Sequence, residues 1–443
     1  MAIKKDKVDA VLVGFGWTGA ILGQELTEAG LQVLALERGG MQDTPKDAEY
    51  PKVIDELKYS VRGYLFQDLS KETVTIRHGV DDVAVPYRQN GSFLLGTGVG
   101  GAGFHWNGMH YRVLPEELEL RTRYETRYGK KFIPEGMTIQ DFGVTYIDAE
   151  GNEIDQPADL VILSAYQMHN VRLLLLSGIG KPYDPKTNEG VVGKNYAYQM
   201  NGAVNVLLPK GTQLNPFVGT GAGGVGMDDL NGDQFDHGPL GFVGGASIRH
   251  VRYGGRPIKQ TPTTPGTPTW GTAWKAGVQD AYQRFMTIGI SGSVMSYRDA
   301  YLSLDPTYKD AYGQPLLRMT FDWHDNEFDM LDYMGKRMET VAKAMNPEKH
   351  FVAVRKKGAR YDTRVYQSTH NTGGAIMGSN PKESVVNKYL QSWDVPNVFV
   401  MGACVFPQNM GYNPTGLVGA LAYWAAQAIR DQYLKNPGPL VQA

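Results

Sequence analysis

Val8-Asp9-Ala10-Val11-Leu12-Val13-Gly14-Phe15-Gly16-Trp17-Thr18-Gly19 is the stretch on which the reading of this chain turns. Its first six residues are an apolar run of the buried parallel-strand type, interrupted only by Asp9. An amphipathic helix is predicted from about Trp17 to Ala29, stopped by Gly30. A second, mostly apolar strand, Leu31 to Leu36, closes on Glu37, 18 residues beyond Gly19. Strand, glycine turn, helix, strand and acid make one compact βαβ unit of the dinucleotide-binding kind. Gly14 permits the tight turn, Gly16 lets backbone approach a pyrophosphate, and Gly19 lets the helix pack close to the sheet. The helix start offers N–H groups and positive dipole to the phosphates. Glu37 is placed to accept hydrogen bonds from ribose hydroxyls, which favours NAD or FAD over NADP. A ligand-free glycine turn opening an ordinary α/β domain is the plainer alternative, and the agreement of all the flanking elements counts against it.

Outward from this unit, the chain has 443 residues, 42% hydrophobic and 20% charged, with 54 glycines and a net charge of −2. That length exceeds the roughly 250–300 residues at which single cores stop growing, so two domains are expected. The near-neutral balance gives no electrostatic reason to expect nucleic acid as a partner. One cysteine, Cys404, excludes an intrachain disulfide, a cysteine-only zinc site and an iron–sulfur cluster held by this chain. No metal site is expected. No stretch reaches the roughly 20 apolar residues of a membrane span, and the N-terminus lacks the pattern of an export signal.

A second glycine cluster runs from Gly96 to His110 and holds six glycines up to Gly108. So many glycines oppose a stable helix or strand interior, while Phe104, Trp106 and Met109 oppose a solvated loop. Backbone packed against a flat ligand, presenting His105 and Asn107, is the expectation; a core turn with a satisfied histidine is the alternative. Pro115 to Ile139 is charged and helix-like. Gly143 to Ile154 is predicted as a strand pair turning at Glu150-Gly151-Asn152, followed by a buried strand from Asp159 to Ala165, a helix from Met168 to Leu176 ending at Gly178, and a turn from Gly190 to Asn195. Mixed strands and polar loops from Gln199 to about Tyr366 suggest a second domain or a long insertion. Near the end come His370-Asn371-Thr372-Gly373-Gly374, a strand from Asn397 to Met401, and Asn413-Pro414-Thr415 opening a helix to about Tyr433. Pro414 falls at the first helical position, where its missing N–H costs nothing, and Asn413 would by itself be a structural N-cap.

Taken together, these motifs resemble the glucose–methanol–choline (GMC) flavoprotein oxidoreductases. The matching elements are Gly14 to Gly19 with Glu37, Gly100 to Met109, Leu174 to Gly180, and the tail from His370 through Pro414. Within that family the resemblance is nearest to flavoprotein subunits of gluconate 2-dehydrogenase-type complexes. It implies an α/β fold: a Rossmann-like FAD-binding domain (1–115, 143–198 and 372–443) with a discontinuous α+β substrate domain (116–142 and 199–371). It implies FAD held by Gly14, Gly16, Thr18, Gly19, Glu37, Arg38, Gly100, Gly101, His105, Asn107, Gly108, Met109, Gly402, Ala403, Pro414 and Thr415. His105 stands where several relatives attach FAD covalently, while many members bind it without a linkage. By motif position His370 is the catalytic histidine and Asn413 its partner. A neutral His370 can take the hydroxyl proton of an alcohol, and the helix starting at Pro414 aims its positive dipole at the flavin. The plainer alternative for His370 is a buried structural histidine. His78, His110, His169, His237, His250, His324 and His350 are left structural.

The resemblance further implies a dehydrogenase of a sugar acid, D-gluconate oxidised at C2, with electrons passing to a cytochrome or quinone. A small exported subunit and a multihaem cytochrome c would be the partners, at the periplasmic face of the inner membrane; a cytoplasmic location is the alternative. A GMC dehydrogenase of an aldose or polyol, and an inactive variant that only binds flavin, compete with this reading. Two departures matter. Gly402-Ala403 stands where many members carry an acid and an alanine, so one polar contact to the cofactor is replaced. In relatives a long stretch, with the cysteines of an iron–sulfur cluster, intervenes near Gly143-Val144-Thr145-Tyr146, so an internal deletion is expected there. It would take with it a strand behind the adenine and part of the substrate wall, leaving FAD affinity, folding and electron exit as open questions.

Overall fold

The computed structural model describes residues 3–41, 73–87, 93, 95–105, 144–147, 153–214, 224–232, 234–237, 239–250, 262–365 and 368–442, with backbone alone for 104–105, 144–147 and 153. The expected surface helix of 115–139 lies outside them, as do Asn107, Gly108, Met109 and His110.

The opening strand, Val8–Val13, sits inside a four-stranded parallel sheet. On one side it pairs with Val33–Leu36, in register Val11 with Leu34; on the other with Ala158–Leu163, in register Val11 with Val161. Val398–Val400 completes the sheet beside Ala158–Leu163. Continuous apolar runs are what a strand covered on both faces requires, and Leu12, Ile162 and Phe399 are fully buried. The first helix, Trp17–Glu28, buries Ile21, Leu22 and Leu26 and packs against the last helix, Thr415–Asp431. Arg430 is ion-paired with Glu25 across that contact, at 2.5 Å. The helix Gln167–Ser177 ends as expected at Gly178, whose φ of +66° lets Ile179 N–H donate back to Leu174 O at 3.1 Å.

A second sheet carries the antiparallel order 225–227, 246–250, 285–292, 200–207, 349–353. The helix Asp325–Ala344 lies on it with Met330, Leu331, Met334 and Met338 buried. A Cβ on Gly292 would lie 2.4 Å from Met330 Cε, so the end of that methionine packs directly on the strand backbone. Val144–Ile147 pairs antiparallel with Glu153–Gln156, which pairs parallel with Ile3–Lys4. The chain after the expected junction thus enters a hairpin, as the strand pair required.

Candidate active site

The tips of three parallel strands converge on the first glycine turn. Gly14 has φ +96°, its N–H donates to Leu36 O at 2.7 Å, and its carbonyl accepts from Ser164 Oγ at 2.6 Å. A Cβ on Gly14 would stand 2.6 Å from Ala165 Cα, and one on Gly19 would stand 2.3 Å from Gly14 O. The helix begins at Gly16 with no side-chain cap, so its first N–H groups face outward with the dipole behind them. Thr18 is buried just inside it. Glu37 accepts from Phe15 N–H at 2.9 Å and Gly39 N–H at 3.0 Å. The acid expected to read a ribose therefore also braces the turn, and Arg38 follows it at the strand end.

The second glycine cluster packs in part against the first. Gly100 N–H donates to Phe15 O at 2.8 Å, and a Cβ on Gly101 would lie 3.0 Å from Gly16 Cα. A Cβ on Gly96 would meet Gly101 C at 2.1 Å. Gly100 and Gly101 thus bring the cluster backbone against the first turn, while Gly96 lets the cluster fold closely on itself. Beside Gly100 there is open space. Gly101–His105 forms a short 3₁₀ turn despite its two glycines, because the fold around it supplies the contacts that propensity withholds.

His370 is clamped at the other end. Its carbonyl accepts from Gln199 N–H at 3.0 Å and from Asn409 Nδ2 at 2.7 Å, and its N–H donates to Ser368 Oγ at 3.0 Å. The ring's protonation follows from its neighbours. Gln199 Nε2 faces the carbonyls of Met410, Gly411 and Tyr412 at 2.9, 3.3 and 3.2 Å. That turns Gln199 Oε1 toward His370 Nδ1, 2.7 Å away, so Nδ1 carries the hydrogen. Asn413 Oδ1 accepts from Arg249 Nη1, which turns Asn413 Nδ2 toward His370 Nε2 at 3.1 Å. Nε2 is therefore the lone-pair nitrogen. Burial, and then the Arg249 guanidinium, pull the imidazole's pKa down to about 3, so the ring is neutral.

Asn413 does not cap the last helix, which has no side-chain cap at all; its amide is spent on His370 and Arg249 instead. Pro414 has helical φ and ψ (−74°, −13°) and its carbonyl accepts from Val418 N–H at 2.9 Å, one residue before the assigned start at Thr415. Gly402, with φ +102°, precedes the short turn Ala403–Val405. His78, His237 and His250 bond backbone carbonyls, and His324 and His350 face Asp299 and Glu339, which keeps them structural.

Gln199 and Arg249 were missed by the sequence reading. Gln199 lies among the fully buried Tyr196, Ala197, Tyr198 and Met200, and a lone polar residue in such a run was a legible signal. Arg249, in the strand Ala246–His250, gave none.

A parallel nucleotide sheet with uncapped helix starts, joined to a neutral imidazole paired with an amide, defines a dinucleotide-dependent oxidoreductase. The chain belongs to the GMC oxidoreductase family. The family model described as GMC oxidoreductase matches residues 296–422. The chain is 46% identical to the gluconate 2-dehydrogenase flavoprotein of Pantoea cypripedii, covering 99% of this chain and 96% of that one. That alignment runs over 588 positions against 443 residues here, so at least the difference, 145 positions, has no counterpart in this chain. An Aspergillus oryzae RIB40 formate oxidase variant matches in fold with TM-score 0.59 and 15% identity, covering 98% of this chain and 100% of that one. Pyridoxine 4-oxidase from Mesorbium loti matches with TM-score 0.58 and 12% identity, covering 96% and 99%. The cofactor of this oxidoreductase is FAD. The uncapped start at Gly16, the open space beside Gly100 and the acid at the tip of the second strand fit it. Among the described residues no helix is long and apolar enough to cross a membrane.

Proposed function

We propose that this protein oxidises a secondary alcohol of a sugar acid, D-gluconate to 2-keto-D-gluconate, with His370 as the proton acceptor and Asn413 as its partner. The observation that carries it is the neutral His370, hydrogen fixed on Nδ1, its Nε2 lone pair turned to Asn413 at the head of an uncapped helix. FAD, when bound, supplies the acceptor for the hydride. Nε2 takes the hydroxyl proton, while Asn413 Nδ2 donates to the same oxygen and holds it. Gln199 Oε1 then steadies the positive charge as the ring becomes imidazolium. The gluconate reading is supported by the near-full-length similarity to the Pantoea cypripedii flavoprotein.

On the same grounds, 1–115, 143–198 and 372–443 form the cofactor portion, and 116–142 with 199–371 the substrate portion. Gly14, Gly16, Thr18, Gly19, Glu37, Arg38, Gly100, Gly101, His105, Asn107, Gly108, Met109, Gly402, Ala403, Pro414 and Thr415 hold FAD. A small exported subunit and a multihaem cytochrome c are its partners at the periplasmic face of the inner membrane, and electrons pass to a cytochrome or quinone.

Anaerobic mixing of the yellow protein with gluconate tests the reading: the flavin band bleaches. His370→Ala should slow bleaching about a hundredfold or more with FAD retained. A band that stays inert to gluconate, or a His370→Ala variant that bleaches at the full rate, refutes it.

A further inference from the structure

We propose that Arg249 recognises the carboxylate of the substrate and so places the neighbouring hydroxyl of an α-hydroxy acid on His370 Nε2. The inference rests on the sugar-acid reading above and names the residue that makes the site selective for acids.

The guanidinium is fixed at both ends. Nη1 donates to Asn413 Oδ1 and Nη2 to Ser291 Oγ at 2.8 Å. Ser291 lies on the strand Phe285–Gly292, which pairs with Arg249's own strand in register Ser247 with Ser291. A planar fork held this way suits a carboxylate, which a lysine would meet only as a point charge.

Its distance from the base is also set. Nε2 is 3.1 Å from Asn413 Nδ2, and the other end of the same amide meets Nη1. Base and guanidinium are therefore one amide apart, on the order of 6 Å. A hydrogen bond of about 2.8 Å at each end spans that gap when alcohol and carboxylate sit on adjacent carbons. A carboxylate several carbons further along the chain would overshoot it.

Electrostatics gives the arrangement a purpose. A permanent cation beside a base that must accept a proton opposes the reaction of a neutral alcohol, because imidazolium and guanidinium repel. A bound carboxylate cancels that field. The base thus regains its proton affinity when an acid, and not a neutral sugar, occupies the site.

The alternative is that Arg249 only positions the Asn413 amide, and a pair of substrates separates the two. Arg249→Met and Arg249→Lys holoenzymes, checked for FAD content, are mixed anaerobically with gluconate and with its neutral amide, gluconamide. Wild type should favour gluconate in kcat/KM. Arg249→Met should lose about 30- to 1000-fold on gluconate and at least tenfold less on gluconamide, with Arg249→Lys in between. Titrating 2-ketogluconate into each holoenzyme by calorimetry gives a readout independent of turnover: binding is strong in wild type and weakened in Arg249→Met. Equal losses on both substrates, or unchanged 2-ketogluconate binding, overturn the assignment. Wild type bleached by neutral sugars but not by gluconate shows instead that the sugar-acid reading has failed, and Arg249's role with it.

Discussion

Replacing Gln199 by methionine removes the amide that fixes the His370 tautomer while keeping an unbranched side chain of similar length. Two losses follow from the geometry. Nδ1–H loses its acceptor at 2.7 Å, and the carbonyls of Met410, Gly411 and Tyr412 lose their shared donor. In the ground state the first is an ordinary hydrogen bond. As the ring takes up a proton it becomes a bond to a charged group, worth about 1.5–3 kcal/mol. The ground-state bond, about 0.5–1.5 kcal/mol, is lost as well, so the difference of about 1–1.5 kcal/mol slows flavin reduction about 5- to 13-fold at 1.36 kcal/mol per factor of ten. The stranded carbonyls are buried, so Tm should fall as well, by the equivalent of about 1–3 kcal/mol. Stopped-flow bleaching under anaerobic, saturating gluconate measures the first effect, and thermal melting with flavin content measures the second. Gln199→Glu is the companion. Its carboxylate favours imidazolium, raises the His370 pKa and should move the acid limb of the rate profile to higher pH. A methionine variant that holds its FAD, melts lower and still bleaches at the wild-type rate would refute the tautomer argument.

The remaining predictions are as follows. Because burial and Arg249 hold His370 near 3 in the free protein, the neutral, competent ring persists well below the ordinary histidine range; kcat/KM should lose this group only below about pH 4, and an acid limb near 6.5 counts against it. Gly19→Val puts side-chain carbon where 2.3 Å separates it from Gly14 O, so purified variant should be colourless or insoluble; full flavin content would show that the turn is looser than described. If FAD is attached through His105, acid-precipitated wild type keeps its flavin and His105→Ala releases it; free flavin in the wild-type supernatant removes the linkage.

How much of this was legible beforehand depends on range. The βαβ unit is local: strand, turn, helix and acid follow within 30 residues of one another, and periodicity with glycine punctuation marks each boundary to within two residues. The hairpin at 144–156 and the helix ending at Gly178 belong to the same class. The pairing of His370 with Asn413 was reached through the motif positions of a family, since a separation of 43 residues carries no local pattern. Asn413 shows the limit of local rules. An asparagine before Pro-Thr is read as a cap, whereas in the fold its amide is held by an arginine 164 residues away.

The chain's own order of residues determined the nucleotide-binding unit, the neutral charge balance and the poverty in cysteine, because those depend on neighbours along the backbone or on composition. Tertiary structure alone decided which nitrogen of His370 is the base. That assignment needs Gln199, Arg249 and the carbonyls of 410–412 in one place, and each comes from a different strand or loop. It also decided where the second cluster needs its glycines: a Cβ on Gly101 would lie 3.0 Å from Gly16 Cα and one on Gly39 would lie 2.4 Å from Gly98 N, contacts between loops far apart in sequence. Hydrogen-bond direction and steric contact are properties of atoms brought together in space, and no spacing rule in one dimension encodes them.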